Sequence, residues 1–118
     1  RINKIKIKFN SDEGSIDMKW EKFRMELNKQ LENIEVGEDK FIGPYFITDI
    51  DENNYISEDA IKYKLLMYLK DDVLRYNPTD LFKENYSFGS LIKAYESNKV
   101  IFNEDFIAKL KDKNSRDE

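Results

Sequence analysis

Apolar residues recur along this chain at two different spacings. Ile5, Ile7 and Phe9 alternate with Lys4, Lys6 and Lys8. This period of two is the signature of a half-buried strand. Asn10 to Gly14 is polar and turn-like. Ser15 is then placed to cap a helix, with Asp17 in its first turn. Ile16, Trp20, Phe23, Leu27, Leu31 and Ile34 follow at intervals of three and four. They predict an amphipathic helix of about five turns, with Gly37 as its stop signal. A second helix is predicted from Ser57 as cap, with Ile61, Leu65, Tyr68, Leu69, Val73 and Tyr76 as its stripe. Leu66 and Met67 widen the stripe, and Asn77-Pro78 ends the helix. Ser87 caps a helix carrying Phe88, Leu91, Ile92 and Tyr95, and Asn103 caps one carrying Phe106, Ile107 and Leu110. Between them Val100-Ile101-Phe102 reads as a short strand or a buried connection.

The pattern predicts a mainly α fold, a bundle of four to five helices with one N-terminal strand. Its expected core is Trp20, Phe23, Leu27, Leu65, Leu69, Leu91 and Phe106. Residues 113–118 are polar and are expected to fray.

The two long helical patterns are joined by Glu38-Asp39-Lys40-Phe41-Ile42-Gly43-Pro44-Tyr45-Phe46-Ile47. Pro44 fixes its own φ and biases Gly43 away from the α region, so a sharp corner is expected here. The corner is either an ordinary buried turn or one wall of a site. Asp49, Asp51 and Asn53 match the first three ligand positions of an EF-hand loop. The sixth and twelfth positions are Asn54 and Ala60, where that loop needs Gly and a bidentate Glu. A polar loop is therefore expected rather than a calcium site, and no metal site is expected elsewhere. Trp20 and Phe23 could stack on a base but fit a core stripe better. Asp71 and Asp72 are adjacent, point about 100° apart on a helix, and do not form a carboxylate pair.

The chain has 118 residues, which suits one domain. Its net charge of −4 argues against non-specific nucleic-acid binding, which needs a basic field. A basic stripe on one face would revive that possibility. The absence of Cys and His excludes disulfides and removes the commonest zinc and acid–base groups. A cytoplasmic setting is the default expectation. No apolar run approaches a membrane span, and no signal-peptide pattern opens the chain. The four glycines are too scattered to cradle a nucleotide, and no phosphate-loop motif is present. No catalytic residue is expected in this chain. Its start at Arg1, on a strand pattern, suggests a piece of a longer protein.

Asp39 to Phe46 resembles the D-x-x-I-G-x-x-F stretch of McrB-like AAA+ NTPases, the motor subunits of 5-methylcytosine-dependent restriction systems. Lys64-Leu65-Leu66-Met67-Tyr68-Leu69-Lys70-Asp71-Asp72 resembles that family's K-V-L-x-Y-L-x-D-D helix. Leu81-Phe82, Ser87-Phe88, Leu91-Ile92 and Tyr95 are similar to its closing helices. The match spans most of the chain beyond Trp20.

The resemblance implies that residues 1–10 hold the last strand of a truncated AAA+ core and that 11–112 form a helical lid. The lid would couple nucleotide state to subunit arrangement in a ring motor. ATP or GTP with Mg would bind the parent protein, with none held by this fragment alone. Lys40, Gly43, Pro44 and Tyr45 would face the nucleotide in the intact parent. The implied partners are the core of the same chain, neighbouring subunits of a homo-oligomeric ring and a nuclease subunit, without direct nucleic-acid contact by the fragment. Some family members have His or a different length after the Ile-Gly pair. No lid arginine matches the family's sensor position, and Arg24, Lys40 and Arg75 are the cations available. The alternative function is a stand-alone helical module that binds a protein partner through the Phe41–Ile47 corner.

Overall fold

The computed structural model describes residues 4–116. Strand β1 (Lys6–Ser11) turns back at Asp12-Glu13 into β2 (Gly14–Lys19), and helix α1 (Trp20–Asn33) follows directly. A single 3-10 turn, Glu38–Lys40, leads into the corner. Helix α2 covers residues 58–73 and is followed by a 3-10 turn, Pro78–Asp80. Helices α3 (Phe88–Glu96) and α4 (Glu104–Ser115) complete the fold.

The hairpin overturns the expected bundle of four to five helices with a lone strand left from a missing core sheet. Ile5 to Phe9 does belong to a strand region, but β1 finds its partner eight residues on. Ile7 pairs with Met18 and Phe9 with Ile16, antiparallel, and all four are buried. Ser15 caps no helix, because Ser15, Asp17 and Lys19 continue the period of two that β1 begins. Ile16 and Trp20 stand four apart, so they mimic a helical stripe across the strand–helix junction. Gly14 makes the tight return possible with φ +109, a region that L side chains rarely adopt.

On its other edge β1 meets the loop before α2. Lys6 N–H donates to the Asn54 carbonyl at 2.8 Å, and Ile56 N–H donates to the Lys6 carbonyl at 2.9 Å. The Asp49–Ser57 stretch is a closed polar loop. Asp51 Oδ1 accepts from the N–H groups of Asn53 and Tyr55, and Ser57 Oγ donates to Asp49 Oδ2 at 2.7 Å.

All seven expected core residues are fully buried. Phe9 and Phe23 stack at 5.1 Å between ring centroids, and Phe102 meets Phe9, Phe82 and Phe106 at 4.9, 5.8 and 5.1 Å. Such pairs add to the burial that drives the fold. Val100 to Phe102 is a connection, half-buried at Val100 and buried at Ile101 and Phe102, with one bridge, Phe82 to Phe102. Gln30, buried on α1, donates to the Asp80 carbonyl and to Asp105, and accepts from Lys109 at 2.9 Å. It ties α1 to α4 and to the turn after α2.

Ser57, Ser87 and Asn103 cap their helices as expected, each accepting from the N–H three residues on. Two other helix features differ from expectation. Helix α1 ends at Asn33, four residues before Gly37. Glu35 takes the left-handed position at φ 69, and Val36 N–H reaches back to the Leu31 carbonyl at 2.9 Å. Helix α2 winds with i→i+5 bonds over Ile61–Leu66 and Leu69–Val73, so Leu74 N–H reaches the Leu69 carbonyl at 2.8 Å. The wider winding carries the apolar stripe through Leu66 to Leu74 and leaves Tyr76 84% exposed.

Leu69→Ala removes a fully buried side chain from the middle of α2. A loss of about 2–5 kcal/mol is expected, read as a clear fall in melting temperature. A variant that melts like the parent would place Leu69 outside the core.

Candidate functional site

The corner between α1 and α2 is irregular backbone, so its polar groups need partners from outside. Helix α1 supplies them from Trp20, Arg24 and Asn28, spaced by four and therefore on one face. Trp20 Nε1–H donates to the Pro44 carbonyl at 3.2 Å. Arg24 Nη1 donates to the Ile42 carbonyl at 2.9 Å, and Asn28 Nδ2 donates to the same oxygen at 3.0 Å. Ile42 N–H returns a bond to Asn28 Oδ1 at 2.8 Å. Glu21 fixes the guanidinium of Arg24 through two bonds, at 3.0 and 2.7 Å. From the α2 side, Tyr68 O–H donates to the Lys40 carbonyl at 3.0 Å. Phe46 packs against Tyr68 with the rings tilted by 47° and 5.1 Å between centroids, and Phe46 N–H closes a turn on the Gly43 carbonyl at 3.2 Å.

The four expected site residues all sit on this clamped corner. Gly43, Pro44 and Tyr45 are exposed, Tyr45 by 74%, and Lys40 is half-buried. Gly43 has no positive φ, and a Cβ there would meet no heavy atom within 4 Å. Among the described residues, no close approach of another part of the chain therefore requires a glycine here. Of the three candidate cations, Arg24 is occupied by Glu21 and the corner, while Arg75 is exposed beside the Tyr76 ring at 5.8 Å. Trp20 and Phe23 are fully buried and present no stacking surface.

Sequence reasoning named Arg24 as one of three available cations. It missed Asn28, whose only signal is its spacing of four from Arg24. It also missed a cleft of about 360 Å³ between β1, the loop before α2 and α3. There Lys62 Nζ pairs with Glu96 at 2.7 Å. Burial pushes the Tyr95 phenol up to about 12, with Glu58 adding to the shift and Lys62 opposing it. Among the described residues no cluster of three or more Asp, Glu, His or Cys could hold a metal ion. No helix there is long and apolar enough to cross a membrane.

Component YdiS of the type II restriction enzyme BsuMI, from Bacillus subtilis (strain 168), is 40% identical to this chain over 83 residues. The aligned region is 70% of this chain and 23% of YdiS, so the chain spans under a quarter of that relative's length. No family model matches the chain, and no solved structure matches it.

Asn28→Ala leaves the Ile42 amide without its acceptor. A loss of about 1–3 kcal/mol is expected, against at most about 0.5 kcal/mol for the neighbouring exposed Lys29→Ala. Chemical denaturation of the two variants checks this, and equal stability would remove Asn28 from the clamp. By similarity the chain is linked to a component of a restriction system.

Proposed function

We propose that the chain is an accessory module of a restriction-system component of the McrB-like AAA+ kind, and that it couples nucleotide state to the arrangement of neighbouring subunits. The 40% identity to a restriction-enzyme component supports the restriction-system part of this reading. The ordered match of the corner and of the Lys64–Asp72 helix to McrB-like proteins supports it further. ATP or GTP with Mg would be held by a core carried elsewhere in the whole protein, with the corner facing that core. The corner's carbonyls at Lys40, Ile42 and Pro44 and the Ile42 amide are already bonded within the chain. Among its side chains, the corner can offer outward the ammonium of Lys40 and the phenol of Tyr45. A phosphate cradle needs convergent N–H groups, so the chain alone is not expected to bind nucleotide tightly.

A second reading is a protein-interaction module without a nucleotide role. One observation favours it: Tyr45 is a large, exposed aromatic on a backbone that is already fixed. Such residues often dominate binding interfaces, because little freedom is lost on contact.

Lys40→Ala and Tyr45→Ala in the whole protein separate the two. If the corner serves the nucleotide, Lys40→Ala is expected to lower NTP turnover by about tenfold or more, the equivalent of one charged hydrogen bond. Tyr45→Ala should lower it in the same direction, with little change in melting temperature for either. Unaltered turnover and nucleotide affinity in both variants would contradict the nucleotide role.

A further inference from the structure

We propose that the outer face of the β-hairpin is a contact surface for the phosphate backbone of duplex DNA. In the hairpin register Lys6 stands opposite Lys19 and Lys8 opposite Asp17. Directly opposed residues share a face, so three ammonium groups and one carboxylate occupy neighbouring positions. The Lys6–Lys19 pair sets like charges against each other, which weakens a hairpin. Lys6 gains a contact with the Tyr55 ring, whereas Lys19 has no counter-charge among the described residues, and a local rule broken in this way points to a use outside the fold.

The carboxylate on this face is already engaged, because Asp17 Oδ2 accepts from the Tyr55 phenol at 2.5 Å. Asp51, which shares the neighbouring cleft with Lys8, accepts the N–H groups of Asn53 and Tyr55. Lys6 and Lys8 both rest against the Tyr55 ring, with Nζ at 4.7 and 5.1 Å from its centroid. Both ammonium groups thus make cation–π contacts with one ring. Among the described residues Lys6, Lys8 and Lys19 form no ion pair, whereas Arg24, Lys62, Lys109 and Lys111 each do.

A chain of net charge −4 thus keeps a basic face on its hairpin, the feature that revives nucleic-acid binding against its overall acidity. Along a strand, residues two apart stand about 7 Å from each other. That is about two axial phosphate steps of one DNA strand. Since the lysines cover Tyr55, the surface contacts backbone charge and reads no base. The similarity to a restriction-enzyme component favours DNA over other polyanions. The hairpin contact is independent of the nucleotide role proposed above, and either can fail alone.

Fluorescence anisotropy of the 118-residue chain with a short labelled duplex of random sequence tests the proposal. Three phosphate contacts should weaken binding by about 40-fold between about 50 and 200 mM salt. The Lys6→Gln, Lys8→Gln, Lys19→Gln triple variant should lose that salt dependence and most of the binding. A Lys29→Gln, Lys93→Gln, Lys99→Gln triple, with the same charge change elsewhere, should keep both. Lys19→Gln alone leaves the packing on Tyr55 intact and should lower the log–log salt slope by about 0.9. The proposal is overturned by absence of DNA binding at the lower salt or by equal losses in the two triples. Binding to phosphatidylglycerol vesicles without binding to DNA would also overturn it.

Discussion

A column of three side chains on α1 holds the irregular corner that joins the two halves of the chain. Residues 41–46 have no ladder of their own, and buried or half-buried peptide groups without partners are costly. Trp20, Arg24 and Asn28 meet that need at the Pro44 and Ile42 carbonyls and at the Ile42 amide. Because they are spaced by four on one rigid helix, they fix the corner as a unit. Tyr68 attaches the same corner to α2 through the Lys40 carbonyl. The relative placement of α1 and α2 therefore depends on backbone bonds as well as on apolar contact.

The corner in turn anchors both the core and the outer surface. Ile42 and Ile47 are buried on either side of it, while Gly43, Pro44 and Tyr45 project outward. Trp20 does two things at once: its ring is fully buried beside Phe23, and its N–H holds Pro44. Its backbone N–H also donates to the Ile5 carbonyl at 2.8 Å, which links the hairpin to the start of α1. Hairpin, first helix and corner thus converge on one residue.

The elements whose signals are local were legible in the chain itself. The α1 stripe from Trp20 to Leu31 and the caps at Ser57, Ser87 and Asn103 stand where spacing and side-chain chemistry put them. What escaped depends on pairing or winding that one stretch does not reveal. The strand character of residues 14–19 was hidden because Ile16 and Trp20 fall at a helical interval. The i→i+5 winding of α2 leaves no mark in a stripe that ordinary spacing already fits, so Leu74 replaced Tyr76. Position 35 took the left-handed conformation although Gly37 lay two residues on. For the site, the corner was visible as Gly43-Pro44, but its clamp was only half visible. Arg24 carried a charge that drew notice, and Asn28 did not. Lys6 and Lys8 were plain as a lysine alternation, whereas Lys19 joined their face only through the hairpin register.

The clamp is tested most directly by native-state hydrogen exchange at the Ile42 amide. That N–H lies outside any helix or ladder and bonds only to Asn28 Oδ1, at 2.8 Å. If α1 holds the corner as a unit, this amide should exchange nearly as slowly as the core of α1, through global unfolding. Exchange close to the rate of an unprotected peptide would show that the corner opens on its own, and the clamp would not be what the fold depends on.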